Sequence, residues 1–135
     1  MASSIGFVGW LLQVALLFAA CVPAAPAETW PARPVKLVVP FAAGSATDAM
    51  ARVLAQELAA RLGQNVVVDN RAGAFGQIAA VHVARAAPDG YTLFVTTNTT
   101  HSANPHLYRG LPYDPLKDFE PVARTATLPF MLVVG

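Results

Sequence analysis

The sequence predicts an α/β domain built on a parallel-rich sheet with helices on both faces. Three observations carry that prediction. Short apolar, β-branched runs recur at Val35–Val39, Val66–Val68 and Tyr91–Val95. Helix-length segments with apolar residues at helical spacing lie between them. Each element ends at a recognisable stop, such as Pro40, Gly63 or Pro88-Asp89-Gly90. Strand and helix in regular alternation imply βαβ units with right-handed crossovers, so the strands run parallel.

Composition divides the 135-residue chain in two. Residues 1–27 contain no Asp, Glu, Lys or Arg, and all nine basic and eight acidic residues follow from Glu28 onward. Ile5–Ala20 is an apolar run, and Ala25-Pro26-Ala27 supplies a small-residue A-x-A site. Residues 1–27 therefore read as a secretory signal cleaved before Glu28, although only the terminal amine is positive ahead of the apolar run. An uncleaved anchor is the alternative, at the lower limit of length for crossing a bilayer. Phe18-Ala19-Ala20-Cys21 also resembles a lipoprotein cleavage box, which would anchor the chain through Cys21. Cys21 is the only cysteine, so residues 28–135 hold no disulfide, thiol nucleophile or Cys-based zinc site. A net charge of +1 gives no argument for nucleic-acid binding.

The elements follow in order. Val35–Val39 reads as a buried strand and Phe41–Ala46 as a loop of small residues. Thr47–Leu62 reads as a helix, with Met50, Leu54 and Leu58 as an apolar stripe widened by Val53 and Leu62. Ser45 and Asp48 resemble a capping box, Asp48–Arg52 and Glu57–Arg61 are i, i+4 pairs, and Gly63 is a C-terminal stop. Val66–Val68 is the second strand, followed by a loop over 71–76 and a helix over Gln77–Ala87 carrying Ile78, Val81 and Val83. Tyr91–Val95 is the third strand and Thr96–Asn104 a polar loop. A Pro-rich connection over 105–120 precedes two further expected strands, Val122–Thr125 and Met131–Val134.

Parallel sheets bind ligands outside the carboxyl ends of their strands, where strand order reverses. That rule selects the loops over 41–47, 70–76 and 96–104. Gly44-Ser45-Ala46-Thr47 leads from a strand into a helix, whose first amides lack intrahelical partners and carry partial positive charge. It is either a seat for a carboxylate or phosphate, with the Ser45 and Thr47 hydroxyls as added donors, or simply a helix cap. Asp48 either receives a ligand amine or water, or complements its own helix dipole. Gly73 and Gly76 either present amides to a ligand or only turn the chain. Arg71 either clamps a carboxylate or forms an ion pair. Thr96–Ser102 either surrounds a polar ligand or is a solvated loop. His82 reads as a packed or surface helix residue. His101 and His106 lack metal-ligand spacing, so no metal is expected. Neither a P-loop nor a dinucleotide fingerprint is present, and no cofactor is expected. No nucleophile elbow is present either.

Four stretches together resemble a known family. They are Trp30–Phe41 with Gly44 and Thr47-Asp48; Gln64–Gly73; Ala84–Leu93; and Asn104–Tyr108 with Leu111–Phe119. They look like the Bug family, the extracytoplasmic solute receptors of tripartite tricarboxylate transporters, and the likeness runs from about Trp30 to the end. The resemblance implies a type II periplasmic-binding-protein-like fold of two lobes, with only the first present, over 28–135. It implies a periplasmic, non-enzymatic receptor for a small organic acid or amino acid, working with membrane transporter subunits, and a monomer. It places ligand binding on Gly44, Ser45, Ala46, Thr47 and Asp48, and on Thr97, Asn98, Thr99, Thr100 and His101. Two departures stand out: Ser45 replaces the second of two paired glycines, and Ala74-Phe75-Gly76 interrupts a Gly-Ala-Gly-Gly run. Gly73 and Phe75 are therefore candidate wall residues. Family members are more than twice as long, so the chain is expected to stop near the crossing into the second lobe, as a truncated or degraded product. Alternatives on the same fold are a ligand-sensing partner of a membrane signalling protein and a small periplasmic hydrolase.

Overall fold

The computed structural model describes residues 29–127. The leader, Cys21 and the expected strand Met131–Val134 lie outside the described residues.

Five elements build the sheet and its cover: β1 (Val35–Val39), α1 (Ala46–Leu62), β2 (Val66–Asn70), α2 (Gln77–Ala84) and β3 (Thr92–Phe94). The strands lie in the order β2-β1-β3, and both pairings are parallel. Val35 pairs with Val66 and Leu37 with Leu93, so β1 is the central strand. Its burial follows from this position: Val35, Leu37, Val38 and Val39 are all at most 1% exposed. A continuous apolar run is what a parallel strand covered on both faces requires. Because β2 and β3 flank β1 on opposite sides, right-handed crossovers place α1 and α2 on opposite faces of the sheet.

Helix α1 begins and ends where its sequence says. The Ser45 hydroxyl accepts from the Asp48 amide at 3.2 Å, and Gly63, at φ 66°, donates its N–H to Ala59 O at 3.0 Å. Its buried face, however, is not the Met50–Leu54–Leu58 stripe. Thr47, Asp48, Ala51 and Ala55 are buried. Ala51 and Ala55 join Leu37, Val39 and Val95 in the core, with Met50 and Leu54 packed at its margin. Val53 is exposed. Small alanines let the helix approach the sheet closely, and the larger residues fill the flanks.

Three other expectations are corrected. Helix α2 stops at Ala84, not Ala87, because Ala86 turns back onto Val83 O and Pro88 disfavours helical geometry at Ala87. The polar stretch after β3 is not a loop. Thr99–Ala103 forms a wide π-type turn that runs into a short helix, α3 (Asn104–Leu107), with Pro105 in its first turn. Val122–Thr125 is exposed and pairs with no strand among the described residues. It reaches α1 instead, where the Thr125 hydroxyl donates to Met50 Sδ at 3.8 Å.

Candidate functional site

Strand order reverses at β1, since the chain leaves β1 toward β2 and returns past it to β3. The loops that follow β1 and β3 therefore diverge from adjacent strand ends and leave a cleft between them. The cleft has a volume of about 650 Å³. Phe41, Ser45, Thr47 and Met50 form its first wall, and Thr96–Thr99 the second. Arg124–Thr127 closes a third side. Among the described residues its polar side chains are hydroxyls, one amide and one guanidinium, and no carboxylate lines it.

The first wall is shaped by a latch centred on Asp48, which is 2% exposed. Its Oδ2 accepts from Gly44 N–H at 2.8 Å and Arg52 Nε at 2.9 Å. Its Oδ1 accepts from Asn70 Nδ2 at 2.9 Å, and the same Asn70 nitrogen donates to Phe41 O at 3.1 Å. The Arg52 hydrogen bond, with those from Gly44 and Asn70, holds the carboxyl well below its ordinary 3.8, at about 2. Asp48 thus holds the loop in shape, with both oxygens occupied by the protein.

The latch leaves α1 with open donors. Ser45 N–H bonds Ala42 O, Asp48 N–H bonds the Ser45 hydroxyl, and Ala49 N–H bonds Ser45 O. The Ala46 and Thr47 amides have no partner among the described residues. These are the orphan donors every helix start presents, here beside a cleft with no carboxylate among the described residues.

The second wall is buttressed from behind. Thr100 is fully buried, its hydroxyl hydrogen-bonded to the Thr96 hydroxyl and to Thr97 O. Tyr113 Oη donates to Thr100 O at 2.6 Å, and Asn104 Nδ2 donates to Tyr113 Oη and to Phe75 O. His101 packs edge-on against Phe119, with ring centroids 4.9 Å apart, and its Nδ1 lies 3.1 Å from the Thr100 hydroxyl. Desolvation by burial lowers its pKa.

The structure thus gathers only some of the sequence candidates. Ser45, Thr47, Thr97, Asn98 and Thr99 lie on the cleft. Gly44, Ala46 and Asp48 build the loop and helix start behind it. Thr100 is buried behind the second wall, and His101 lines a separate hollow beside Phe94 and Phe119. Gly73 and Phe75 are not on the cleft wall. Phe75 is 68% exposed, lies against Tyr108 and adopts φ 52°, a left-handed conformation unusual for a bulky residue. Nothing in the sequence singles out Arg124, because its segment reads as a strand.

Comparison with known proteins fits this geometry. Residues 50–135 match the family described as tripartite tricarboxylate transporter family receptor. The chain is 47% identical to a UPF0065 protein of Bordetella bronchiseptica over 130 residues, which is 96% of this chain and 39% of that protein. It is also similar to the solved structure of MatC from Rhodopseudomonas palustris with bound malate: 49% identity, a TM-score of 0.66, covering 69% of this chain and 32% of that one. The periplasmic binding protein BugD is similar at 46% identity and a TM-score of 0.62, over 68% of this chain and 30% of BugD. The chain spans about two fifths of the length of the curated relative. Its fold is that of a periplasmic-binding-protein lobe, and the matched proteins are binding and transport receptors. The chain belongs to the tripartite tricarboxylate transporter receptor family.

Proposed function

We propose that the chain is the first lobe of a periplasmic receptor that captures a small organic acid and presents it to a tripartite tricarboxylate-type membrane transporter, without catalysing a reaction. The observation that carries this reading is the cleft at the strand-order reversal. It sets the hydroxyls of Ser45, Thr47, Thr97 and Thr99 beside the start of α1, whose Ala46 and Thr47 amides are unpartnered, with no carboxylate on its walls among the described residues. Each group donates a hydrogen bond without itself carrying a charge. A carboxylate held this way exchanges water for preorganised donors and gains the favourable end of the helix dipole. Asn98 adds both a donor and an acceptor, so an amino acid fits as well as a simple acid. Malate in MatC, a relative at 49% identity, supports the ligand class. A second lobe closing over the open side would bury the acid, as hinged binding proteins do.

Calorimetric titration of the full-length protein with succinate, malate, citrate, glutamate and benzoate tests the reading. At least one acid is expected to bind with a Kd of roughly 10 μM or tighter, about −7 kcal/mol. Failure of every acid to bind below about 1 mM, together with turnover of a simple ester, would replace the receptor by a hydrolase.

A further inference from the structure

Among the described residues the cleft contains one charged side chain. Arg124 lines it on the third side, on a segment that touches α1 through the Thr125–Met50 contact. Elsewhere the neighbouring cations are spoken for: Arg52 pairs with Asp48 at 2.9 Å, and Arg71 with Asp69 at 3.0 Å. Arg124 makes no ion pair and no side-chain hydrogen bond among the described residues. Arg124 is exposed and lines a cleft with no carboxylate among the described residues, so its guanidinium is open to an anion that enters. The start of α1 already offers uncharged donors for one carboxylate, so a charged donor on another side of the cleft has a separate task.

We propose that Arg124 determines specificity by binding the second acidic group of a diacid whose first carboxylate sits at the start of α1. The inference rests on the receptor reading above and adds to it the residue that separates diacids from monoacids. A planar guanidinium binds a carboxylate through two parallel hydrogen bonds, and its charge gives nothing comparable to an alkyl end. Loss of such a partner leaves the second carboxylate desolvated without compensation. The other cleft groups, being uncharged, discriminate weakly between an anionic and an apolar tail.

Succinate and butyrate share a four-carbon chain and differ in one carboxylate, so they isolate the effect. Calorimetric titration of the full-length wild-type protein is expected to give succinate an advantage of roughly tenfold or more. Arg124→Gln should weaken succinate roughly 10- to 100-fold and change butyrate less than about threefold. Arg124→Lys, which keeps charge but loses the planar fork, should fall between. Equal weakening of both acids would overturn the proposal by placing Arg124 on the shared carboxylate. No effect on either acid would overturn it by removing Arg124 from the site. If the wild-type protein bound neither these nor any other acid, the receptor reading itself would fail, and this inference with it.

Discussion

Gly76→Ala is expected to destabilise the protein by roughly 2–4 kcal/mol, whereas Gly63→Ala costs only about 1 kcal/mol. Both glycines have positive φ, 83° and 66°. A side chain at either position bears the same left-handed penalty, so the difference between them is steric. A Cβ at Gly63 meets nothing within 4 Å. At Gly76 it would stand 2.6 Å from Thr100 Cγ2 and 3.1 Å from Pro40 Cβ. Neither neighbour can retreat: Thr100 and Pro40 are both fully buried, and the Thr100 hydroxyl is already committed. The loop after β2 therefore acts on the cleft indirectly, as a wedge behind its second wall. Urea unfolding at constant m-value measures both losses. Equal losses at the two glycines would contradict the close approach.

The second large effect concerns Asp48. Asp48→Ala is expected to weaken acid binding roughly 10- to 100-fold, through loss of preorganisation rather than loss of a ligand contact. It strands three donors, on Gly44, Arg52 and Asn70, and frees the loop that presents the Ala46 and Thr47 amides. A distinct signature lies in acid. The folded carboxyl titrates at about 2 and its ordinary value is 3.8. A depressed folded pKa contributes stability that is complete above the unfolded value and is lost as pH falls toward the folded one. Wild-type stability should therefore fall relative to Asp48→Asn between about pH 4 and pH 2, and the two curves should run parallel above about pH 5. Parallel curves across the whole range would show that the carboxylate is not latched.

What is legible in the sequence is mostly local. The Ser45 cap and the Gly63 stop are set by residues within a turn of each other, and both are readable. So is the parallel sheet, because β1, β2 and β3 carry strand-forming runs at βαβ spacing. Alanine hides the buried face of α1: counting large apolar residues selects Met50, Leu54 and Leu58, while the sheet selects Ala51 and Ala55 for their size. The Thr99–Ala103 turn is hidden for a different reason. Threonine, serine and asparagine favour turns locally, and this segment is held in helical form by partners far along the chain, Tyr113 and Phe75. Tertiary contact likewise decides Asp48, whose partner Asn70 lies 22 residues away. Arg124 reaches the cleft because its segment lies against α1 and pairs with no strand among the described residues.

An amide chemical-shift titration of the full-length protein with an acid that it binds reads out where the carboxylate sits. The largest changes are expected at Ala46 and Thr47, with a second group at Thr97–Thr99 and little movement at Ala74–Gln77. Maximal changes at Ala74–Gln77 or around His101, with Ala46 and Thr47 unmoved, would contradict a carboxylate seat at the start of α1.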